Sequence, residues 1–172
     1  MRVSPVPLPP AGMEPPPLPE HRSARLLIVD PRGRLLLFRY EDGREPPFWA
    51  TPGGRLLAGE TFEEAAAREL AEETGFTAPI GPLARTREAI YAAGDVGPAR
   101  WVEHYFVVRA AGDPPDRDRW TPEERRTIRA TRWWSPAELR TTEVPVLPAW
   151  LPDVLATLVD APAPAHDAPT RP

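Results

Sequence analysis

Two apolar runs open the ordered part of the chain, "ARLLIVD" (24–30) and "RLLLFRY" (34–40), separated by "PRG". Short, partly branched runs around a turn carrying Asp30, Pro31 and Gly33 predict a β-hairpin. "FWATPGGRLL" (48–57) reads as a strand interrupted at Pro52, Gly53 and Gly54, because proline withholds a ladder donor and glycine marks close backbone approach. The pattern then changes period. Phe62, Ala66 and Leu70 recur at i, i+4 and i+8, an apolar row that a helix would lay on a sheet. Thr61 followed by Glu64 forms a capping-box signature, and Gly75 suits a left-handed C-terminal cap, so the helix is predicted over 61–74.

Strand patterns resume within 83–91, in "WVEHYFVVRA" (101–110) and in "TIRATRWW" (127–134). A short helix is predicted from Ser135 with Pro136 at its first position, and "PAWLPDVLATLVD" (148–160) reads as a closing amphipathic helix. Strands and helices alternate irregularly, which predicts a mixed α/β (α+β) fold, a mixed sheet with packed helices, rather than a regular doubly wound one. Proline density marks residues 1–22 as an extended or disordered leader and 161–172 as a similar tail. One domain over 23–160 is left, long enough to bury a core.

Composition narrows the chemistry. The 172 residues carry a net charge of -4, no cysteine, and 21 basic residues that are all arginine. A cysteine nucleophile, a thiolate metal site, a disulfide and a lysine Schiff base are thereby excluded. Nothing in the charge favours a nucleic-acid scaffold, no apolar run reaches the ~20 residues of a membrane span, and a cytoplasmic protein is the expectation.

The main helix is electrostatically odd. Glu69, Glu72 and Glu73 lie at i, i+3 and i+4, where like charges cost roughly 0.2–0.5 kcal/mol per pair, near a helix C-terminus that disfavours negative charge. An oxygen-only donor set suits a hard cation, Mg²⁺ or Mn²⁺; a solvated acidic face is the other reading, and the helix alone leaves both open.

The flanks extend the pattern. Gly54, five residues, Glu60, seven residues, Arg68-Glu69-Leu70, one residue, Glu72-Glu73, one residue and Gly75-Phe76 is similar, at every fixed position, to the signature box of the Nudix hydrolase superfamily. It covers residues 54–76. The resemblance implies an α/β/α sandwich with a mixed β-sheet, and hydrolysis of a phosphoanhydride bond in a nucleoside diphosphate linked to another moiety. It implies Glu69, Glu72, Glu73 and the Gly53 carbonyl as ligands of Mg²⁺ or Mn²⁺, with Glu69 or Glu73 helping to deprotonate water. Arg68 would orient the carboxylates, while Gly54, Glu60 and Gly75 would support the loops.

The family often places a further carboxylate base on a distant loop. Here "GDPPDRDRWTPEERRTIR" (112–129) is the matching stretch, with Glu123 or Glu124 as candidates beside a plain solvated loop. Arg39 is a candidate phosphate contact. Trp49 and Trp133 are candidate base-stacking rings, with core packing as the alternative, and Glu103 either reaches the metals or forms an ion pair. The partner implied is a small nucleotide-type substrate, with neither a DNA-binding module nor a membrane, and a homodimer is left open. Two other readings share the fold: a catalytically silent nucleotide-sensing module, which usually has a degraded box, and isopentenyl diphosphate isomerase-like chemistry, which resembles a cysteine-dependent proton transfer.

Overall fold

The hairpin predicted from the first two apolar runs forms: β1 (Glu20–Val29) and β2 (Leu35–Tyr40) are antiparallel, paired at Val29 and Leu35. Asp30 builds the turn by accepting from the backbone N–H groups of Arg32 and Arg34. A computed structural model describes residues 17–43, 46–91, 97–112, 117 and 120–160 of the chain. Most of the expected leader and all of the expected tail, residues 1–16 and 161–172, lie outside the described residues. β1 starts at Glu20, inside the stretch expected to be unstructured, and His21 packs on Trp101 at 4.6 Å.

Beyond the turn the two strands part, and the segment that follows fills the gap. β3 (Phe48–Ala50) pairs with β2, after which the chain crosses to β1. There Ala24 and Leu26 donate backbone N–H groups to the carbonyls of Gly54 and Pro52, each at 3.0 Å, and Leu56 donates to the Arg22 carbonyl. This strap, Pro52–Leu56, runs along the edge of β1 opposite its parallel neighbour β5 (Ala99–Arg109), which is paired with it from Glu20–Arg100 to Val29–Arg109. β4 (Ile80–Tyr91) closes one side antiparallel to β5, β6 (Ile128–Trp134) pairs with β2, and β7 (Val146–Leu147) lies parallel to β3. The sheet is mixed, with path order β4-β5-β1-β2-β3-β7.

Strand alternation divides the apolar side chains between two cores. On one face Ala24, Leu26, Ile28, Leu36, Phe38 and Phe106 pack against α1 (Phe62–Glu69) through Phe62, Ala65, Ala66 and Leu70, the row that the helical period predicts. On the other face Leu27, Val29, Leu35, Leu37 and Tyr105 meet α3 (Pro136–Thr141) and α4 (Leu151–Asp160) through Leu139, Leu151 and Leu155. The expected α/β/α sandwich is what forms.

Three details depart from expectation. α1 ends at Glu69, and Leu70–Thr74 continue as a π-helical turn before Gly75 caps it at φ 71°; such widened turns are frequent at functional sites. A helical turn, α2 (Pro122–Thr127), occupies part of what reads as a loop. At six residues it is too short to show a helical period, although Thr121 and Glu124 form a complete capping box. β7, at two residues, has no pattern of its own.

α1 starts at a complete capping box as well, with Thr61 and Glu64 bonded in both directions. Thr61→Ala is expected to destabilise the domain by roughly 1 kcal/mol, as for other N-caps. Urea unfolding measures this, and an unchanged midpoint would remove the cap from the account.

Candidate active site

The strap and the end of α1 meet so closely that side chains are excluded between them. A Cβ on Gly54 would stand 2.2 Å from Oε1 of Glu69, and one on Gly53 would stand 2.2 Å from the Ala24 carbonyl oxygen. Gly53 also has φ +127°, which L side chains rarely adopt. Gly53 donates its backbone N–H to Oε2 of Glu73. The two glycines thus let the strap backbone approach the helix end, where the Gly53 N–H meets Glu73 and Gly54 lies against Glu69.

The three glutamates do not share one environment. Glu69 and Glu73 are buried, whereas the Glu72 side chain is 58% exposed. Arg68 organises Glu69 and Glu72. Its Nε and Nη2 grip both oxygens of Glu60 at 2.8 and 2.9 Å, Nη1 donates to Glu69 at 2.7 Å and to Glu72 at 3.0 Å, and Nη2 donates to the Arg55 carbonyl. All five guanidinium donors are used, a geometry that lysine lacks. Glu60 in turn accepts from the Leu57 backbone, so it ties the loop before α1 to Arg68. Hydrogen bonds from Arg68 hold the Glu60 carboxyl down at about 2.

Burial pushes Glu73 up to about 8, reinforced by the charge of Glu69 and offset in part by the Gly53 N–H. Burial raises Glu69 too, against the pull of Arg68. Glu124, reaching in from α2, is near enough for its charge to add to the repulsion at both. Its carboxylate accepts from the Thr121 backbone in the helix cap. Of the two candidates in that stretch, Glu124 lies close enough for its charge to act on the acidic cluster; Glu123 is exposed and 4.0 Å from Arg126.

The remaining candidates separate clearly. Glu103 is buried on β5 and bonded to Arg25 (3.1 Å), Arg87 (2.6 Å) and the Tyr105 hydroxyl (3.1 Å), so of its two readings the ion pair holds. Burial alone would raise its carboxyl, but Arg25 and Arg87 keep it below the usual range. Trp49 and Trp133 are buried, Trp49 edge-on to Trp134 and Trp133 facing Phe76. Both serve cores on the two sides of the sheet, the packing alternative to base stacking. Arg39 stays partly exposed beside Glu41 at 3.3 Å.

Two residues of the site have no counterpart in the motif. Trp120 donates its indole N–H to the Glu73 carbonyl at 2.8 Å, which helps to end the helix. Arg25 donates to the Gly53 carbonyl at 2.9 Å. Arg25 had a signal in the sequence: it is the one charge between Ala24 and Val29 in an otherwise apolar strand.

This geometry accompanies a match of residues 19–154 to the NUDIX domain family. The chain belongs to the Nudix family. It is 34% identical over 144 residues to an isopentenyl-diphosphate Delta-isomerase of Nocardia farcinica, covering 78% of this chain and 77% of that protein. It is 32% identical over 103 residues to an RNA pyrophosphohydrolase of Caulobacter vibrioides, with 59% and 52% covered. A segment of 108 residues is 42% identical to part of an octanoyltransferase of Myxococcus xanthus, covering 60% of this chain and 28% of that protein. The chain therefore spans well under two thirds of some curated relatives. The fold is similar to that of the MutT protein from Methanosarcina mazei Go1, with TM-score 0.60, 22% identity, and 83% and 94% of the two chains covered. In this chain the Nudix box is folded as strap, helix and capped turn.

Oxygen donors alone, the side-chain-free contact at Gly54 and a buried carboxylate with raised proton affinity fit a hard divalent cation. Among the described residues no three acidic side chains converge as a finished cage, because Glu69 and Glu72 are turned to Arg68. The raised affinity of Glu73 has a thermodynamic consequence. Below pH 4.5 Glu73 is protonated both folded and unfolded and contributes nothing; as pH rises toward 8 the folded state carries a growing penalty. In chelator-treated protein, Glu73→Gln is expected to be more stable than wild type at pH 8, on the order of 1–3 kcal/mol, with the gap closing by pH 4–5. Equal stability of both proteins at pH 8 in thermal denaturation would contradict it.

Proposed function

We propose that this Nudix-family chain is a Mg²⁺- or Mn²⁺-dependent cytoplasmic hydrolase that cleaves a phosphoanhydride bond in a nucleoside diphosphate linked to another moiety. The observation that carries the reading is the meeting of Glu69 and Glu73 with the Gly53–Gly54 backbone where the strap runs beside β1. The similarity to an RNA pyrophosphohydrolase supports the reaction class.

Glu69, Glu72 and Glu73 would hold the cation, joined by the second lone pair of the Gly53 carbonyl, whose first accepts from Arg25. When bound, the cation would screen the diphosphate's charge and lower the pKa of water. The chain's own residues do the rest. Arg68 presents Glu69 and Glu72 in fixed orientation, and charge-assisted hydrogen bonds of this kind give geometric precision as well as energy. Gly53 N–H aims the Glu73 carboxylate toward the strap. Glu69 or Glu73 would accept a proton from the attacking water, with Glu124 as the further carboxylate positioned from α2. Arg39, on β2, is the proposed phosphate contact. Positioning and electrostatics carry the barrier reduction, with no covalent nucleophile.

The isomerase reading has a relative in its favour, but the chemistry it resembles uses a cysteine and this chain has none. The silent-sensor reading is disfavoured by an intact box.

Purified protein with Mg²⁺ or Mn²⁺ is expected to release phosphate or AMP from at least one member of a broad panel of nucleoside diphosphate derivatives, and chelator is expected to abolish release. Glu73→Gln should lower kcat at least about 100-fold while the protein stays folded. Near-wild-type turnover in that variant, or no cleavage of any panel member by folded wild type, would sink the reading.

A further inference from the structure

We propose that Arg25 is a positioning residue of the candidate site: braced by Glu103, it grips the Gly53 carbonyl and sets the strap at the height where its backbone meets Glu69 and Glu73. The proposal rests on the hydrolase reading for its consequence in catalysis, but its geometry stands without it.

Arg25 sits in the middle of an apolar strand, between the buried Ala24 and Leu26. Those neighbours face α1, so by strand alternation Arg25 leaves the sheet on the opposite face, with Leu27. From there its fork makes two contacts, Nε to Glu103 at 3.1 Å and Nη1 to the Gly53 carbonyl at 2.9 Å. The carbonyls on either side, of Pro52 and Gly54, accept from the β1 backbone; the one between them is taken by the arginine. Three successive carbonyls of the strap are therefore held by two alternate backbone N–H groups of one strand and by the side chain between them.

Glu103 makes this grip directional. It is 3% exposed, and a carboxylate so placed is tolerated only with its charge paired and its lone pairs bonded. Arg87 from β4 and the Tyr105 hydroxyl hold one oxygen, Oε2, which leaves Oε1 for Arg25. The guanidinium is thereby prevented from swinging out to solvent. Gly53 is bonded at both ends, since its N–H meets Glu73 and its carbonyl meets Arg25. A continuous path of hydrogen bonds, Glu103–Arg25–Gly53–Glu73, crosses from the far face of the sheet to the end of the main helix.

The opposite interpretation makes the opposite prediction. If Arg25 merely capped a carbonyl that a cation would otherwise use, its removal would tighten cation binding. If it positions the strap, removal loosens cation binding, because Glu73 loses the amide that aims it.

The test uses the full chain carrying Arg25→Gln, Arg25→Lys or Glu103→Gln. In metal-free protein, exchange of the Gly53 amide followed by NMR should accelerate about tenfold in Arg25→Gln and Glu103→Gln, the effect of losing roughly one hydrogen bond. Mn²⁺ affinity, read by EPR titration with Mn²⁺ alone, should fall roughly tenfold, as for other residues behind a ligand. Arg25→Lys should not rescue either readout, since one ammonium cannot reproduce the two-armed fork. Glu103→Gln keeps shape and packing, and it decides the matter should Arg25→Gln fail to fold. Unchanged Gly53 exchange in Glu103→Gln, or tighter Mn²⁺ binding in any variant, would overturn the proposal. Wild type that binds no Mn²⁺ would count against the hydrolase reading, while amide exchange would still judge Arg25.

Discussion

The structure turns on one steric requirement: backbone must come within hydrogen-bonding distance of carboxylates on a helix packed against the same sheet. At Gly53 and Gly54 any Cβ would collide, with the β1 backbone in one case and with the Glu69 carboxylate in the other. Several larger features serve that approach. β1 and β2 pair only beside their turn, which opens the gap that the strap enters. The apolar row Phe62, Ala66 and Leu70 seats α1 on the sheet with small residues at Ala65 and Ala66, and so brings the helix close. The π-helical turn and the Gly75 cap then end the helix at Thr74, just past Glu73.

Charge is handled differently at each buried carboxylate. Glu103 is neutralised by two arginines and a hydroxyl, and it behaves as a fixed anion. Glu69 has a share of Arg68, whose other donors are committed to Glu60, Glu72 and a carbonyl. Glu73 has a backbone amide and a more distant Arg25, with Glu69 and Glu124 opposing. The gradient runs from a fully compensated anion on one face of the sheet to an under-compensated one at the site. Carboxylates left short of positive charge are where a cation gains most, and the arginines are placed to fix orientation without supplying that charge at Glu73.

Much of this architecture could be read from the residues. The hairpin, the capping box at Thr61, the apolar row of α1 and the Gly75 cap are local. Each depends on side chains within a turn or two of one another, so spacing alone reports them. The box residues Gly54, Glu60, Arg68, Glu69, Glu72 and Glu73 were legible for the same reason, since they lie on one helix and the loop that enters it. α2 and β7 were not, being shorter than the periods by which helices and strands announce themselves.

Only the tertiary structure decided the rest. Glu72 and Glu73 are adjacent in sequence, yet one is exposed and the other buried, because the strap covers one side of the helix end and not the other. Trp49 and Trp133 became core residues, and Glu103 an ion-paired anion, through strands far apart in the chain. Arg25 was visible as a lone charge in an apolar run, but its partners stand 28 and 78 residues away. The sequence by itself determined which chemical groups are carried on the main helix and at what spacing, since local periodicity encodes that. Which of those groups are desolvated, and which arginine faces which carboxylate, followed from how the sheet brings distant strands together, because burial and pairing are properties of the packed molecule.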